Sequence, residues 1–163
     1  MKKKIVCIVG SYKWADEHIP IAKKILRTMF RYLDPERHEI ISGECHKGGI
    51  DIWAKELALQ HGFAYRGFPA AEHELKSYMR RNMAMACVCD ILFRIESPIS
   101  RTKGSKKTLW WAEERHKQCF EICIFKVNDK EVPCLKVNDT VSAILLNIKA
   151  SFSNKLIACL KSL

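Results

Sequence analysis

Apolar positions along the chain switch repeatedly between short unbroken runs and recurrences at helical spacing. Lys4-Ile5-Val6-Cys7-Ile8-Val9 is a continuous, largely β-branched run ended by Gly10-Ser11, which predicts a strand buried in a parallel sheet. Ala22, Ile25, Leu26, Met29 and Leu33 then recur at helical spacing, with Pro20 near the helix start and Asp34-Pro35 as its stop. A second strand is predicted over His38–Ser42, followed by a glycine-bearing turn over Gly43–Gly49. Ile50, Trp53, Ala54, Leu57 and Ala58 next share one helical face. A third strand runs from Ala64 to Phe68 and is ended by Pro69. Leu75, Tyr78, Met79, Asn82, Met83 and Ala86 share the face of a third helix, with Asn82 its odd polar member. Asp90–Ile95 predicts a fourth strand, a polar loop runs from Glu96 to Ser105, and a helix carrying Leu109 and Ala112 leads to a fifth strand over Phe120–Val127.

Strands alternating with helices at this spacing imply βαβ units with right-handed crossovers. The fold class is therefore α/β, a Rossmann-like, doubly wound and mostly parallel sheet of about five strands. Beyond Asn128 the pattern changes. Glu131–Val137 reads as a short extra strand, and Thr140 caps an amphipathic C-terminal helix bearing Val141, Leu145, Ile148, Phe152, Leu156, Cys159 and Leu163. Such a helix covers its own sheet, the ordinary use within a domain, or else a second subunit in a homodimer. Without repeats or linkers, residues 1–163 read as one domain: a core over residues 4–127 and an extension over 128–163.

With 48% hydrophobic and 28% charged residues, the chain is neither disordered nor fibrous. Its apolar runs are far too short to cross a bilayer, and Met1-Lys2-Lys3-Lys4 leads into no cleavable leader. The expectation is a soluble, cytoplasmic protein with no membrane partner. Charge changes the picture more: 28 basic against 18 acidic residues give +10, which suits a phosphate or polyanion ligand if the charges cluster. Eight cysteines do not change it. Cys7, Cys123 and Cys159 sit in apolar patterns, no C-x-x-C pair exists, and neither Cys87/Cys89 nor Cys119/Cys123 has a partner cluster, so reduced thiols and no metal site are expected.

In an open parallel sheet, ligands bind beyond the carboxyl ends of the strands where strand order reverses. Three loops fall there. Gly10-Ser11-Tyr12 offers close backbone approach and a hydroxyl, although a glycine after a first strand is also an ordinary tight turn. Ser42 through Asp51 places Gly43, Gly48, Gly49 and Lys47 at a helix N-terminus, a combination that cradles phosphate while matching neither the Walker A nor the dinucleotide spacing. Asp51, in the first helical turn, serves either the helix dipole or a ribose hydroxyl. Cys45-His46 is no nucleophile pair, because adjacent loop residues seldom point at each other. The third loop, Ser97 through Thr108, gathers hydroxyls, Gly104 and four basic side chains before a helix start, which is the clustering that anion binding needs. Asn82, on an otherwise apolar face, must bond either a loop backbone or a ligand.

Taken in order, Gly10-Ser11, Ser42-Gly43-x-x-x-Lys47-Gly48-Gly49-Ile50-Asp51 with Ala54 and Ala58, Arg81-Asn82 with Met85, Asp90, and Ser100 through Gly104-Ser105-x-x-Thr108 with Ala112 resemble the SLOG superfamily of Rossmann-like proteins. The chain looks closest to its YspA-like branch, which is related to the DprA and Lonely-Guy proteins. The resemblance covers residues 4 to 127. It implies a pocket for nucleotides or nucleotide derivatives, NAD or ADP-ribose-like molecules among them, with no further cofactor required. By position, Gly10 and Ser11 would line the first loop, Gly43, Gly48, Gly49 and Asp51 the second, and Arg81 and Asn82 a helix contact. Gly104, Ser105 and Thr108 would form the phosphate loop.

Departures matter. Gly104-Ser105 replaces the usual Gly-Thr and keeps the hydroxyl, whereas Glu44 follows Gly43 and would repel a nearby phosphate. Lonely-Guy enzymes hydrolyse the N-glycosidic bond of nucleoside monophosphates through a motif glutamate. Thr108 stands in its place here, so a phosphoribohydrolase reading lacks its acid, and no catalytic residue is assigned. DprA-like binding of single-stranded nucleic acid would suit the charge and Trp110-Trp111, although at least one of two adjacent tryptophans on a helix ordinarily belongs to a core or interface.

Overall fold

A computed structural model describes residues 2–100, 103–127 and 130–137, together with Asn154, Ile157, Ala158 and Lys161. The predicted alternation is present as β1 (Lys4–Gly10), α1 (Ile19–Tyr32), β2 (His38–Ser42), α2 (Ile50–Gln60), β3 (Ala64–Gly67), α3 (Leu75–Val88), β4 (Ile91–Glu96), α4 (Lys103–Glu113), β5 (Gln118–Val127) and β6 (Lys130–Val137). The sheet order is β3-β2-β1-β4-β5-β6. Strands β1 to β5 pair in parallel, and β6 returns antiparallel on β5 with Phe120 opposite Val137 and Ile124 opposite Pro133. Among the described residues the sheet therefore has six strands, one more than the main alternation predicts, and the sixth is the short strand expected beyond Asn128.

Two cores follow from the two-residue alternation along each strand. Val6 and Ile8 of β1, with Ile40, Phe93 and Phe120, face α1 and α2. Cys7 and Val9, with Ile41, Leu92 and Cys119, face α3 and α4. The central strands are buried on both sides, as their unbroken apolar runs require. At the amino edge Asp90 ties β1 to β4: its carboxylate accepts from the Ile5 amide at 2.8 Å and its own amide donates to Ile5 O at 2.9 Å. This motif aspartate is a structural clamp far from the loops at the other edge. The thiols of Cys7, Cys45, Cys87, Cys89, Cys119 and Cys123 are free.

The third helix departs from its expected face. Asn82 and Ala86 are buried as the spacing requires, but Leu75, Met79 and Met83 are exposed and Met85, outside the expected face, is buried in their stead. Because α3 carries apolar residues on two stripes, Leu75, Met79 and Met83 on one and Met85 and Ala86 on the other, periodicity alone does not say which stripe meets the sheet. The predicted C-terminal helix lies largely outside the described residues; within it, the Lys161 ammonium stands 5.8 Å from the centre of the Tyr32 ring at the end of α1. Among the described residues, no helix is long and apolar enough to cross a membrane.

Candidate functional site

Strand order reverses between β1 and β4, and the loops leaving them meet there. Gly10 sits where β1, β4 and α2 converge: a Cβ on it would lie 2.3 Å from Ile95 O and 2.7 Å from Ile50 Cγ1. Ser11 is fully buried and knots the loops together. Its amide donates to Ile95 O at 3.1 Å, its hydroxyl donates to Ser100 O at 2.8 Å and accepts from the Ser97 amide at 3.0 Å, and its carbonyl accepts from the Ile50 amide at 3.2 Å. Ser11 shapes the floor of the site from behind.

The loop between β2 and α2 folds back over this knot. Gly48 and Gly49 take φ of +88° and +79°, conformations that side chains disfavour. Gly43 is wedged beneath the site, where a Cβ would meet Asp51 Oδ2 at 2.6 Å and Arg81 Cζ at 2.9 Å. Glu44 turns away from the cleft and pairs with Lys55, with the Tyr65 hydroxyl donating to the same carboxylate at 3.4 Å. The repulsion expected between Glu44 and a phosphate therefore does not arise, because a cation outside the cleft holds its charge.

Asp51 is buried at the N-terminus of α2. Burial pushes its carboxyl up to about 6, against the lowering influence of Arg81 and of hydrogen bonds from the Cys45 and Gly10 amides. Arg81 donates to Gly43 O at 2.7 Å and, through Nε and Nη2, to Asn82 Oδ1 at 3.0 and 2.9 Å. Asn82 Nδ2 then donates to Gly104 O at 3.3 Å, which also accepts from Thr108 Oγ1 at 3.1 Å. Asn82 thus bonds a loop backbone, one of the two roles open to it, while also lining the cleft. A chain of polar contacts runs from the β2 loop across α3 to the first turn of α4.

The folded-state carboxyl at about 6, against 3.8 for the unconstrained group, gives a testable pH dependence. A raised native pKa means that the contribution to stability is complete below the unfolded value and is lost as pH rises through the folded one. Wild type should lose on the order of 1–2 kcal/mol from this group between about pH 5 and pH 7.5. Asp51→Asn should lack that component in urea unfolding, and equal pH slopes in the two proteins would refute the assignment.

These loops enclose a cleft of about 390 Å³. Of the residues singled out from sequence, Gly10, Lys47, Asp51, Arg81, Asn82, Gly104, Ser105 and Thr108 line it, while Ser11, Gly43, Gly48 and Gly49 are not part of the lining. Val9, Tyr12, Cys45, His46, Leu75, Tyr78, Ser100 and Lys103 complete the lining without having been assigned to it. Lys47 Nζ lies 5.2 Å from the Tyr12 ring centre, and the Arg81 guanidinium 5.3 Å from that of Tyr78. His46 is held by the Tyr78 hydroxyl at 3.2 Å, with the His73 ring centre 4.2 Å from its own. Cations and aromatic faces alternate around the mouth.

One further residue escaped the loop-centred reading. Arg94, inside β4, is 1% exposed and lies under the first turn of α4, where Nε donates to Ser105 Oγ at 3.2 Å. Its Nη2 donates to Glu96 at 2.7 Å and its Nη1 to Glu121. Glu96, Glu121 and Cys123 lie close enough together to hold a metal ion, but the guanidinium already supplies their positive charge. An arginine in the middle of an apolar strand is itself a sequence signal, since buried charges demand partners.

Neither the family models nor the curated proteins contain a match to this chain. Its backbone is similar to that of DNA processing protein A (DprA) from Streptococcus pneumoniae, with a TM-score of 0.57 and 18% sequence identity. The fold is DprA-like and Rossmann-like. The match covers 73% of this chain and 50% of that one, so this chain spans about half the length of its structural relative. At that identity the likeness concerns the fold alone.

Proposed function

We propose that the cleft binds a nucleotide or nucleotide derivative, an NAD or ADP-ribose-like molecule included, with a phosphate at the first turn of α4. The observation that carries this reading is the convergence of Arg81, Lys47, Lys103 and the Gly104-Ser105 turn on one cleft at the carboxyl edge of a parallel sheet. Unpaired amides and the positive end of a helix dipole favour an anion at such a turn. The cleft volume, about 390 Å³, falls within the range of small-molecule sites. Asp51, buried on the far side from α4, suits a ribose hydroxyl. Tyr12 and Tyr78 offer faces for a base.

Calorimetric titration of AMP, ADP-ribose and NAD tests the proposal. At least one should bind, and Arg81→Ala should weaken it about 10- to 100-fold, the range for a lost charged hydrogen bond. Lys103→Ala, at an exposed position, should weaken it less and leave the melting temperature unchanged. Absence of binding by all three overturns the reading.

Two other readings rest on separate observations. Trp110 is 45% exposed with Lys107 Nζ 3.7 Å from its ring centre, a cation and a stacking platform on the helix that leads from the cleft, which suits single-stranded nucleic acid. Such binding should fall steeply with salt. Trp111, by contrast, is partly buried against the core. A phosphoribohydrolase would draw on Asp51, whose carboxyl near 6 lies inside the cleft within the range useful to an acid or base. It would release free base from a nucleotide, and Asp51→Ala would abolish that release.

A further inference from the structure

Two histidines from different parts of the chain meet at the rim of the cleft. His46 belongs to the loop between β2 and α2, and His73 to the bend before α3; both are exposed. Their ring centres are 4.2 Å apart. The Nδ1 atoms of both rings lie 3.2 Å from a single oxygen, the hydroxyl of Tyr78 in the first turn of α3. His46 and Tyr78 line the cleft, and the Arg81 guanidinium packs over the Tyr78 ring. The β2 loop is thus tied to α3 at two depths. At the base, Arg81 Nη1 donates to Gly43 O at 2.7 Å. At the rim, the three aromatic rings make the tie.

Hydrogen-bond chemistry restricts the rim tie to one proton arrangement. A phenol carries a single proton, so Tyr78 donates to one imidazole nitrogen and accepts from the other, which must be an Nδ1–H. A first added proton fits this arrangement, because the ring that already donates through Nδ1 takes it on Nε2 and still donates. A second does not. It falls on the Nδ1 that had accepted from the Tyr78 hydroxyl, ends that bond and sets two cations beside each other. Desolvation, the His73 ring and Lys47 hold the His46 imidazole below the usual histidine range, which makes His46 the acceptor and the second ring to be charged. The other charged neighbours are Glu72 and Glu74, which flank His73 in the chain, and Arg81 over the Tyr78 ring. Asp51 lies buried in the cleft at the start of α2.

We infer that His46, Tyr78 and His73 form a proton-operated clasp on the cleft, closed while His46 is neutral and open once both histidines are charged. The outer part of the β2 loop then parts from α3, while the bond from Arg81 to Gly43 holds at the base. The clasp governs access to the cleft and is independent of which ligand the cleft takes. Histidine is the side chain whose ordinary charge change falls between neutral and mildly acid pH. Asp51 titrates in the same interval, and a variant at His46 separates the two groups.

Amide hydrogen exchange of the ligand-free chain, read residue by residue and corrected for the intrinsic effect of pH, tests the clasp. The Gly48 amide, bonded to Cys45 O at 2.9 Å, and the Glu72 amide, bonded to Ser77 Oγ at 3.1 Å, report its two sides. In wild type their protection factors should fall about 3- to 10-fold from about pH 7.5 to about pH 5, as the loss of one hydrogen bond implies. The amides of β1 should keep theirs. His46→Asn puts an amide oxygen, which accepts without titrating, in the place of Nδ1, and should hold the neutral-pH protection at both pH values. Tyr78→Phe, which lacks the shared hydroxyl, should show the low protection at both. Wild-type protection that does not change with pH overturns the inference. So does a fall in His46→Asn equal to that of wild type, since Asp51 or another group would then drive the change.

Discussion

Replacing Arg94 by alanine should lower the stability of the folded chain by about 3 kcal/mol, read as a shift in the urea midpoint at unchanged slope. The guanidinium is 1% exposed and is the shared partner of Glu96 and Glu121. Removing one partner from a buried pair costs about 3–5 kcal/mol, because the remaining charge keeps its desolvation penalty and loses its compensation. Glu96 and Glu121 retain 19% and 17% exposure, which lets water reach them and places the effect at the lower end. The sign of its pH dependence is fixed as well. Two carboxylates left together repel only while both are charged, so the penalty is present at neutral pH and is relieved as acid protonates them. The gap between wild type and Arg94→Ala should therefore narrow in acid. A gap that stays constant from neutral pH down to about pH 4 would show that Arg94 acts by packing and not by charge. Since Arg94 also donates to Ser105 Oγ, the same variant should loosen the turn at which a phosphate is proposed to bind.

How far the chain discloses this arrangement depends on the kind of force involved. Burial on both faces is written directly into a strand such as Lys4–Gly10, so the strands and their alternation with helices are legible, and the Rossmann-like order follows from connection rules. The edge at which the loops gather is legible for the same reason. Which side chains enter the cleft is less so. Ser11 and Thr108 both carry hydroxyls in motif positions and both bond backbone, Ser11 to Ser97, Ser100 and Ile95 and Thr108 to Gly104 O, yet only Thr108 lines the cleft. That division depends on how two loops cross, a contact between residues some ninety positions apart. Glu44 looked harmful beside a phosphate because sequence shows its neighbour Gly43 and not its partner Lys55. The outer stripe of α3 could not be told from the inner one, since both are apolar at helical spacing and only the sheet decides which is covered.

The glycine loop separates two neighbours that sequence makes look alike, and this yields the second large effect. Gly48 and Gly49 both have positive φ, but a Cβ on Gly48 would meet nothing within 4 Å, whereas one on Gly49 would lie 2.4 Å from Ser11 O and 2.4 Å from Tyr12 Cα. Gly49 also has ψ of −149°, in the region that is essentially reserved for glycine. Backbone strain of about 1–3 kcal/mol and overpacking of about 1–3 kcal/mol should therefore add in Gly49→Ala, for a loss of about 4 kcal/mol. Gly48→Ala should lose about 1 kcal/mol from its backbone alone. The obstructing atoms are backbone, so a flexible side chain cannot swing aside to relieve the clash. Relief requires the β2 loop to lift from the β1 loop, which breaks the bond from the Ile50 amide to Ser11 O and moves the start of α2 with Asp51 on it. Gly49→Ala should therefore weaken ligand binding even at temperatures where the variant remains folded, while Gly48→Ala should bind like wild type. Equal destabilisation of the two variants would mean that the loops do not meet at Gly49, and the floor of the cleft would have to be drawn elsewhere.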